Sequence, residues 1–138
     1  METVPINYFA VVVAAAAMMA LGFAWYGPLF GKQWAQLSGL TMGPDTKPKP
    51  ITLVLMIIST LLMSFVLAHA LIFASAYTQI FGIGAGLQAG FWNWLGFIAP
   101  VTLSAVLWEH KPWKLWAIHS GYYLVGLCIM GIILALWV

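Results

Sequence analysis

Hydrophobic residues run through this chain in long unbroken blocks, and the charged positions that interrupt them are few and clustered. They are Glu2, Lys32, Asp45, Lys47, Lys49, Glu109, Lys111 and Lys114. Between them lie three uncharged blocks, residues 3–31, 50–108 and 115–138. A helix needs about 20 apolar residues to cross the hydrocarbon of a bilayer, so the first and last blocks hold one crossing each. The middle block is long enough for two. Its turn is read over residues 78–86, where Gly82, Gly84 and Gly86 alternate and punctuate the pattern. The expected spans are therefore about 6–27, 51–77, 87–108 and 115–137. The runs are continuous rather than alternating, and only helices and closed barrels satisfy their own backbones in lipid. The pattern predicts an all-α protein, an integral membrane four-helix bundle forming a single domain.

Composition sharpens this. Of 138 residues, 64% are hydrophobic and 6% charged, with a mean hydropathy of +1.00. Soluble domains carry about a quarter charged residues, and a chain this short has too much surface to hide so much apolar area from water. A soluble enzyme, a disulfide scaffold and a disordered chain are excluded. A net charge of +2 without arginine lacks the dense basic stripe of a nucleic-acid surface. Cys128 is the single cysteine and lies in an apolar run, where it reads as a small apolar filler; no metal site and no cofactor is expected. The Ala14–Ala17 run suggests a signal peptide, but Glu2 and the absence of basic residues before it argue for a permanent span.

Lysine placement sets the expected orientation. Lys32, Lys47 and Lys49 fall between spans one and two, Lys111 and Lys114 between spans three and four, and none falls elsewhere. Lysine-bearing loops stay cytoplasmic, which puts both termini outside. Residues 29–42 are expected to form a short interfacial segment. Leu29, Phe30, Trp34, Leu37 and Leu40 share one helical face, with Lys32, Gln33, Gln36 and Ser38 on the other; a few turns packed on the bundle is the competing reading. Residues 43–50, with alternating prolines, read as a cytoplasmic linker. Trp25, Tyr26, Trp34, Trp108, Trp113 and Trp116 are expected in a belt at the cytoplasmic boundary, with Trp92, Trp94 and Trp137 at the outer edge.

The segment Gly22-Phe23-Ala24-Trp25-Tyr26-Gly27-Pro28-Leu29-Phe30-Gly31-Lys32-Gln33-Trp34, followed by Ser38-Gly39, resembles a motif of a family of small bacterial membrane proteins, domain of unknown function 1761. Gly96-Phe97, Leu107-Trp108-Glu109, Trp113-Lys114-Leu115, Gly121-Tyr122 and the closing Met130–Trp137 run are similar to it too. The resemblance covers essentially the whole chain. It implies four spans and a bacterial inner membrane, but no activity, substrate or catalytic residue. His119-Ser120 stands where that family would have Asn-Ala, and Tyr123 where His is frequent, so the resemblance implies no role for His119.

No Asp, Glu, Lys or Arg falls inside a span. That excludes a proton-coupled small multidrug exporter, a retinal protein and a voltage sensor, each of which needs an intramembrane charge. Candidate polar residues form two expected layers. The outer one holds His69, Asn93 and Gln88; the inner one holds Ser104, His119 and Ser120. At 1.5 Å per residue the two histidines stand roughly 18 Å apart along the membrane normal, too far to share an ion within one subunit. Each layer reads either as hydrogen-bond glue between helices or as the lining of a path for protons or a small solute. Ala16, Ala20 and Ala24, then Gly86 and Gly90, recur every four residues, and Gly121, Gly126 and Gly131 every five. Small residues let backbones approach closely, so tight packing and a homo-oligomer are expected. Two functions follow: a non-enzymatic protein of assembly or partner binding, and a channel or facilitator for a small neutral solute or ion. An intramembrane enzyme has no catalytic set behind it, since His119 and Ser120 point about 100° apart on a helix.

Overall fold

The computed structural model describes residues 3–39 and 48–137. They form α1 (Tyr8–Ala24), α2 (Gly31–Ser38), α3 (Pro50–Thr78), α4 (Gly82–Asn93), α5 (Ala99–Thr102), α6 (Ser104–Leu107) and α7 (Trp113–Leu136), with wide π turns at Trp25–Leu29 and Trp94–Ile98. Among the described residues there is no strand. Four stretches are long and apolar enough to cross a membrane: Tyr8–Leu29, Pro50–Thr78, Gly82–Leu107 and Trp113–Leu136. The chain is a membrane protein.

The helices run up and down, and each packs on its neighbours in a ring: α1 on α3, α3 on α4, α4 on α7 and α7 on α1. Both chain ends share one end of the bundle, where the Asn7 amide donates to the Trp137 carbonyl at 2.8 Å. Asn7 also caps α1 by accepting from the Ala10 N–H at 3.2 Å, meeting one of the orphan donors of a helix start. Lys32, Lys49, Lys111 and Lys114 all belong to connections or helix starts at the opposite end. Residues 43–47 of the expected linker, and Leu40, lie outside the described residues; Pro48 and Lys49 are non-helical, and Pro50 opens α3, a position where its missing N–H costs nothing.

Backbones touch where α4 meets α7. A Cβ on Gly90 would sit 2.7 Å from the Leu127 carbonyl oxygen, and Gly86 and Gly131 face each other's backbone more closely still. This corrects the turn expected over residues 78–86. Gly84 and Gly86 are helical, and the chain reverses at residues 79–81, between Gln79 (φ 59°) and Gly82 (φ 73°). Gly86 makes room for a neighbouring helix rather than breaking its own, and among these glycines only Gly82, at positive φ, serves the reversal. The five-residue glycine series on α7 meets a different partner at each step: Trp25 at Gly121, Met18 at Gly126 and α4 at Gly131. Ala16 and Ala20, by contrast, lie on the exposed side of α1, whose buried face is Ala10, Val11, Ala14, Ala15 and Met18.

The dry core fills the half of the bundle that bears the termini, where Ala14, Met18, Leu67, Leu71, Ala89, Leu127 and Met130 meet. In the lysine-bearing half α3 stands clear of its neighbours: Ile51, Val54, Leu55, Ile57 and Ile58 are all exposed. Two cavities open beside it.

Replacing Gly90 by Ala should therefore destabilise the fold by about 1–3 kcal/mol, the usual cost of overpacking against atoms that cannot yield. The nearest atom to a Cβ on Gly84 is the Ile80 Cγ2 at 4.0 Å, so Gly84→Ala should be neutral or stabilise by up to about 1 kcal/mol through helix propensity. Thermal midpoints of the two variants in one detergent measure the contrast.

Candidate functional site

The first crossing does not end where its helix does. Gly27 (φ −108°, ψ −105°) leaves the helical region because it precedes Pro28, and a residue before proline is pushed out of the α basin. The chain then folds back on itself: the Phe30 N–H bonds to the Trp25 carbonyl at 2.8 Å, and Gly31 lies so near the Tyr26 carbonyl that a Cβ would sit 2.7 Å from it. This tight return starts α2 and brings the Trp34 ring edge-on to Tyr26, 5.1 Å between centroids. Lys32, Gln33 and Gln36 face outward, with Gly31 and Ala35 buried. The helix is amphipathic as expected, and it also packs on α7. Two residues depart from the expected faces. Leu29 is exposed, while Ser38 is half-buried with its hydroxyl turned back to the Trp34 carbonyl.

Trp34 thereby roofs a cavity of about 430 Å³ between α1, α3 and α7. Met18, Met19, Gly22 and Phe23 of α1, with Tyr26 of the π turn that follows it, form one wall; Met56, Ser59, Thr60 and Met63 of α3 a second; His119, Tyr122 and Tyr123 of α7 the third. The volume falls in the range of small-molecule sites, as does the character: mostly apolar, aromatic-rich, with few polar groups. The wall between α1 and α7 is held rigidly. The Tyr122 hydroxyl donates to the Met18 carbonyl at 3.1 Å, and the Trp25 indole N–H to the Ile118 carbonyl at 2.9 Å. The Tyr26 hydroxyl and His119 Nδ1 are 2.6 Å apart. Gly22 admits the Tyr122 hydroxyl, which a Cβ there would meet at 3.0 Å. Four glycine and aromatic positions of the family-like motif thus have defined tasks in one site: Gly22, Tyr26, Gly31 and Trp34. Trp25 braces it, Gly39 (φ 72°) ends α2, and Pro28 and Lys32 are exposed.

The six polar candidates are distributed differently from two flat layers. His119 and Ser120 diverge, as neighbours on a helix must: His119 faces Tyr26, while Ser120 is buried against α4 and accepts from the Trp94 indole at both its carbonyl (2.8 Å) and hydroxyl (3.0 Å). Ser104 is exposed and donates to the Val101 carbonyl on its own chain segment. Gln88 and Asn93 line a common cavity of about 200 Å³ with Ser75 and Thr78. His69 is not part of it. Its Nδ1 pairs with the Phe65 carbonyl one turn back at 2.9 Å, and its ring sits between Phe65 and Phe73. Asn93 likewise donates to the Ala89 carbonyl of its own helix. Sequence spacing gave these residues similar depths but not their bearing around the helix axes.

Asn93 also lines a second cavity, a groove of about 450 Å³ between α3 and α4, otherwise apolar. Met63 borders both this groove and the cavity under Trp34. Among the aromatics assigned to the belts, Trp108 and Trp113 are exposed at the lysine-bearing end. Trp94, however, is mid-span and bonded to α7, and the Trp116 indole donates to Ala99 and Thr102. These N–H groups are spent on protein acceptors, since a buried indole donor needs a partner. Tyr26 as the partner of His119 was not visible in sequence: the two are 93 residues apart, and only the Gly-Pro return, which ties Tyr26 to α2, hints at its inward role.

A family model described as a protein of unknown function (DUF1761) matches residues 9–135. No curated protein and no solved structure matches the chain.

Two substitutions separate the histidine neighbourhoods. Tyr26→Phe should cost about 0.6 kcal/mol, the average for a hydrogen bond between membrane helices, and no more than about 1.7. His69→Leu, which removes only a bond within one helix on an apolar face, should leave stability within about 0.5 kcal/mol of the parent. Reversible unfolding in mixed micelles measures both.

Proposed function

The chain belongs to the DUF1761 family of proteins of unknown function, and from that premise we propose that it is a non-enzymatic binding protein of the membrane. Its guest is a small, mostly apolar molecule held under Trp34 between α1, α3 and α7. The observation that carries this reading is the cavity itself: about 430 Å³, walled by thioethers and aromatic rings, with hydroxyls, one imidazole and the Trp34 indole as its polar side-chain groups. No carboxylate or amine is among the lining residues, so the site is built to hold a neutral molecule rather than to move protons or stabilise developing charge. A solute path through the protomer draws less support, because His69 points away from the cavity that Gln88 and Asn93 share.

In this reading the protein sits in a bacterial inner membrane with its lysine-bearing end, and hence the roofed cavity, on the cytoplasmic side. It assembles with copies of itself through the exposed face of α1, where Ala16 and Ala20 are left uncovered by the other helices and allow close backbone approach. Single-cysteine variants in a Cys128→Ala background test both points. An impermeant maleimide added outside intact cells should label Thr3→Cys and not Lys111→Cys, and Ala20→Cys should cross-link between copies on oxidation. The reverse labelling pattern would invert the orientation, and an uncross-linked Ala20→Cys would remove this interface.

The cavity reading is tested by filling it. Ser59 is exposed to the cavity from α3, so Ser59→Phe should keep stability within about 0.5 kcal/mol. Native mass spectrometry of protein extracted from its own membrane should show a bound small molecule on the parent and none on this variant. An empty parent, or a guest retained at the same occupancy by Ser59→Phe, would refute it.

A further inference from the structure

Resting on the cavity reading, we infer that the Tyr26–His119 pair recognises a carbonyl group, and that the guest is a planar, membrane-soluble carbonyl compound of the quinone class. The inference begins with proton counting. Tyr26 Oη and His119 Nδ1 are 2.6 Å apart, so one hydrogen lies between them. When the tyrosine donates it, the imidazole is the tautomer that carries its remaining hydrogen on Nε2, and Nε2–H is the free donor. When the imidazole donates from Nδ1, the tyrosine O–H is the free donor. Either way the pair offers one hydrogen to a third group. A guest that accepts a hydrogen bond takes that hydrogen in both tautomers, whereas one that only donates leaves it unmatched in both, meeting only the acceptor on Nε2 or on the tyrosine oxygen.

Both residues line the cavity, and the described residues give neither His119 Nε2 nor the Tyr26 hydroxyl a second protein partner. No side-chain polar atom in the described structure is buried without a partner, so the spare donor is open to whatever fills the space. An unmatched donor facing an apolar cavity is costly in lipid, and a carbonyl oxygen removes that cost without bringing in a donor of its own.

The surroundings set the shape of the rest. Tyr26 is flanked by Trp34 at 5.1 Å and Tyr122 at 5.3 Å, both edge-on, and Tyr122 by Tyr123 at 5.0 Å. Rings in this arrangement present faces and edges to a flat guest, and the methionines opposite, Met56 and Met63, adapt to its outline as flexible thioethers do. The cavity has no cation to hold a carboxylate, which disfavours a fatty acid headgroup. A neutral ring carrying an in-plane C=O meets each of these conditions.

The test uses the whole protein in phosphatidylcholine nanodiscs, with empty nanodiscs as the partition control. The probes are menadione and its carbonyl-free counterpart 2-methylnaphthalene. The parent should bind menadione more tightly than 2-methylnaphthalene, and the infrared C=O stretch of bound menadione should shift to lower frequency. His119→Leu should weaken menadione about five- to tenfold, the worth of one hydrogen bond, return the stretch to its lipid value and leave 2-methylnaphthalene unchanged. Equal binding of both probes by the parent, or an unshifted stretch, overturns the carbonyl inference while the cavity reading stands. Binding of neither probe above the empty nanodiscs overturns the quinone class; a parent that also carries no guest from its own membrane sinks the cavity reading with it. Should His119→Leu fail to fold, the parent's stretch frequency and probe preference decide the matter alone.

Discussion

The close approach of α4 and α7 is the contact on which the remaining architecture depends. Lipid tails are as apolar as leucine, so helices in a bilayer gain nothing from hiding hydrophobic surface and must associate through packing and hydrogen bonds. Gly86 and Gly90 remove the side chains that would hold α4 off, and Leu127, Gly131 and their neighbours bring bare backbone against them. With α4 fixed on one side of α7, α1 is seated on another by Met18 in the space above Gly126 and by the indole of Trp25 over Gly121. Helix α7 is therefore the hub, and α3 the member held least. It joins α1 through the Ser64 hydroxyl, which donates to the Val11 carbonyl at 2.8 Å, and it packs into the core from Met63 onward. Below that it has few partners, and the cavity exists because of this.

The crossings were legible because charge is so sparse: eight charged residues in 138 mark the water-facing segments almost without ambiguity. Glycine was the source of the one boundary error. Gly82, Gly84 and Gly86 carry the same letters as a turn, and only the presence of α7 beside them shows that Gly86 serves a helix contact. The π turns at Trp25–Leu29 and Trp94–Ile98 were likewise hidden, although Pro28 marked the first. For polar residues, sequence spacing gives depth with useful accuracy, since each residue rises about 1.5 Å. It does not give direction, which depends on how each helix is rotated against its neighbours. Hence Gln88 and Asn93 line one cavity and His69 does not.

The aromatic residues carry a more general lesson. Tryptophan and tyrosine near a span end are ordinarily explained by their preference for the headgroup region. Here Trp25, Trp94, Trp116 and Tyr122 each direct a donor at an acceptor on another crossing. Where the spans carry so little charge, these donors add to the polar contacts that Ser64 and Asn7 make between crossings. Ser104, Asn93 and His69 bond within their own segments instead. Ser64 and His119 do reach another crossing, so aromatic rings and a few polar side chains together tie the helices to one another.

Helix α3 has 29 residues, about 43 Å at 1.5 Å each, whereas the hydrocarbon slab is about 30 Å thick. Such an excess is absorbed by leaning or by protrusion. The terminus-bearing half of α3 is clamped in the core, so any lean is taken up below it, where Met56 and Ser59 stand. Where the excess is taken by leaning, the slant of that wall relative to α7 sets the breadth of the chamber, so the misfit between one long helix and the slab bears on the same space that Trp34 covers.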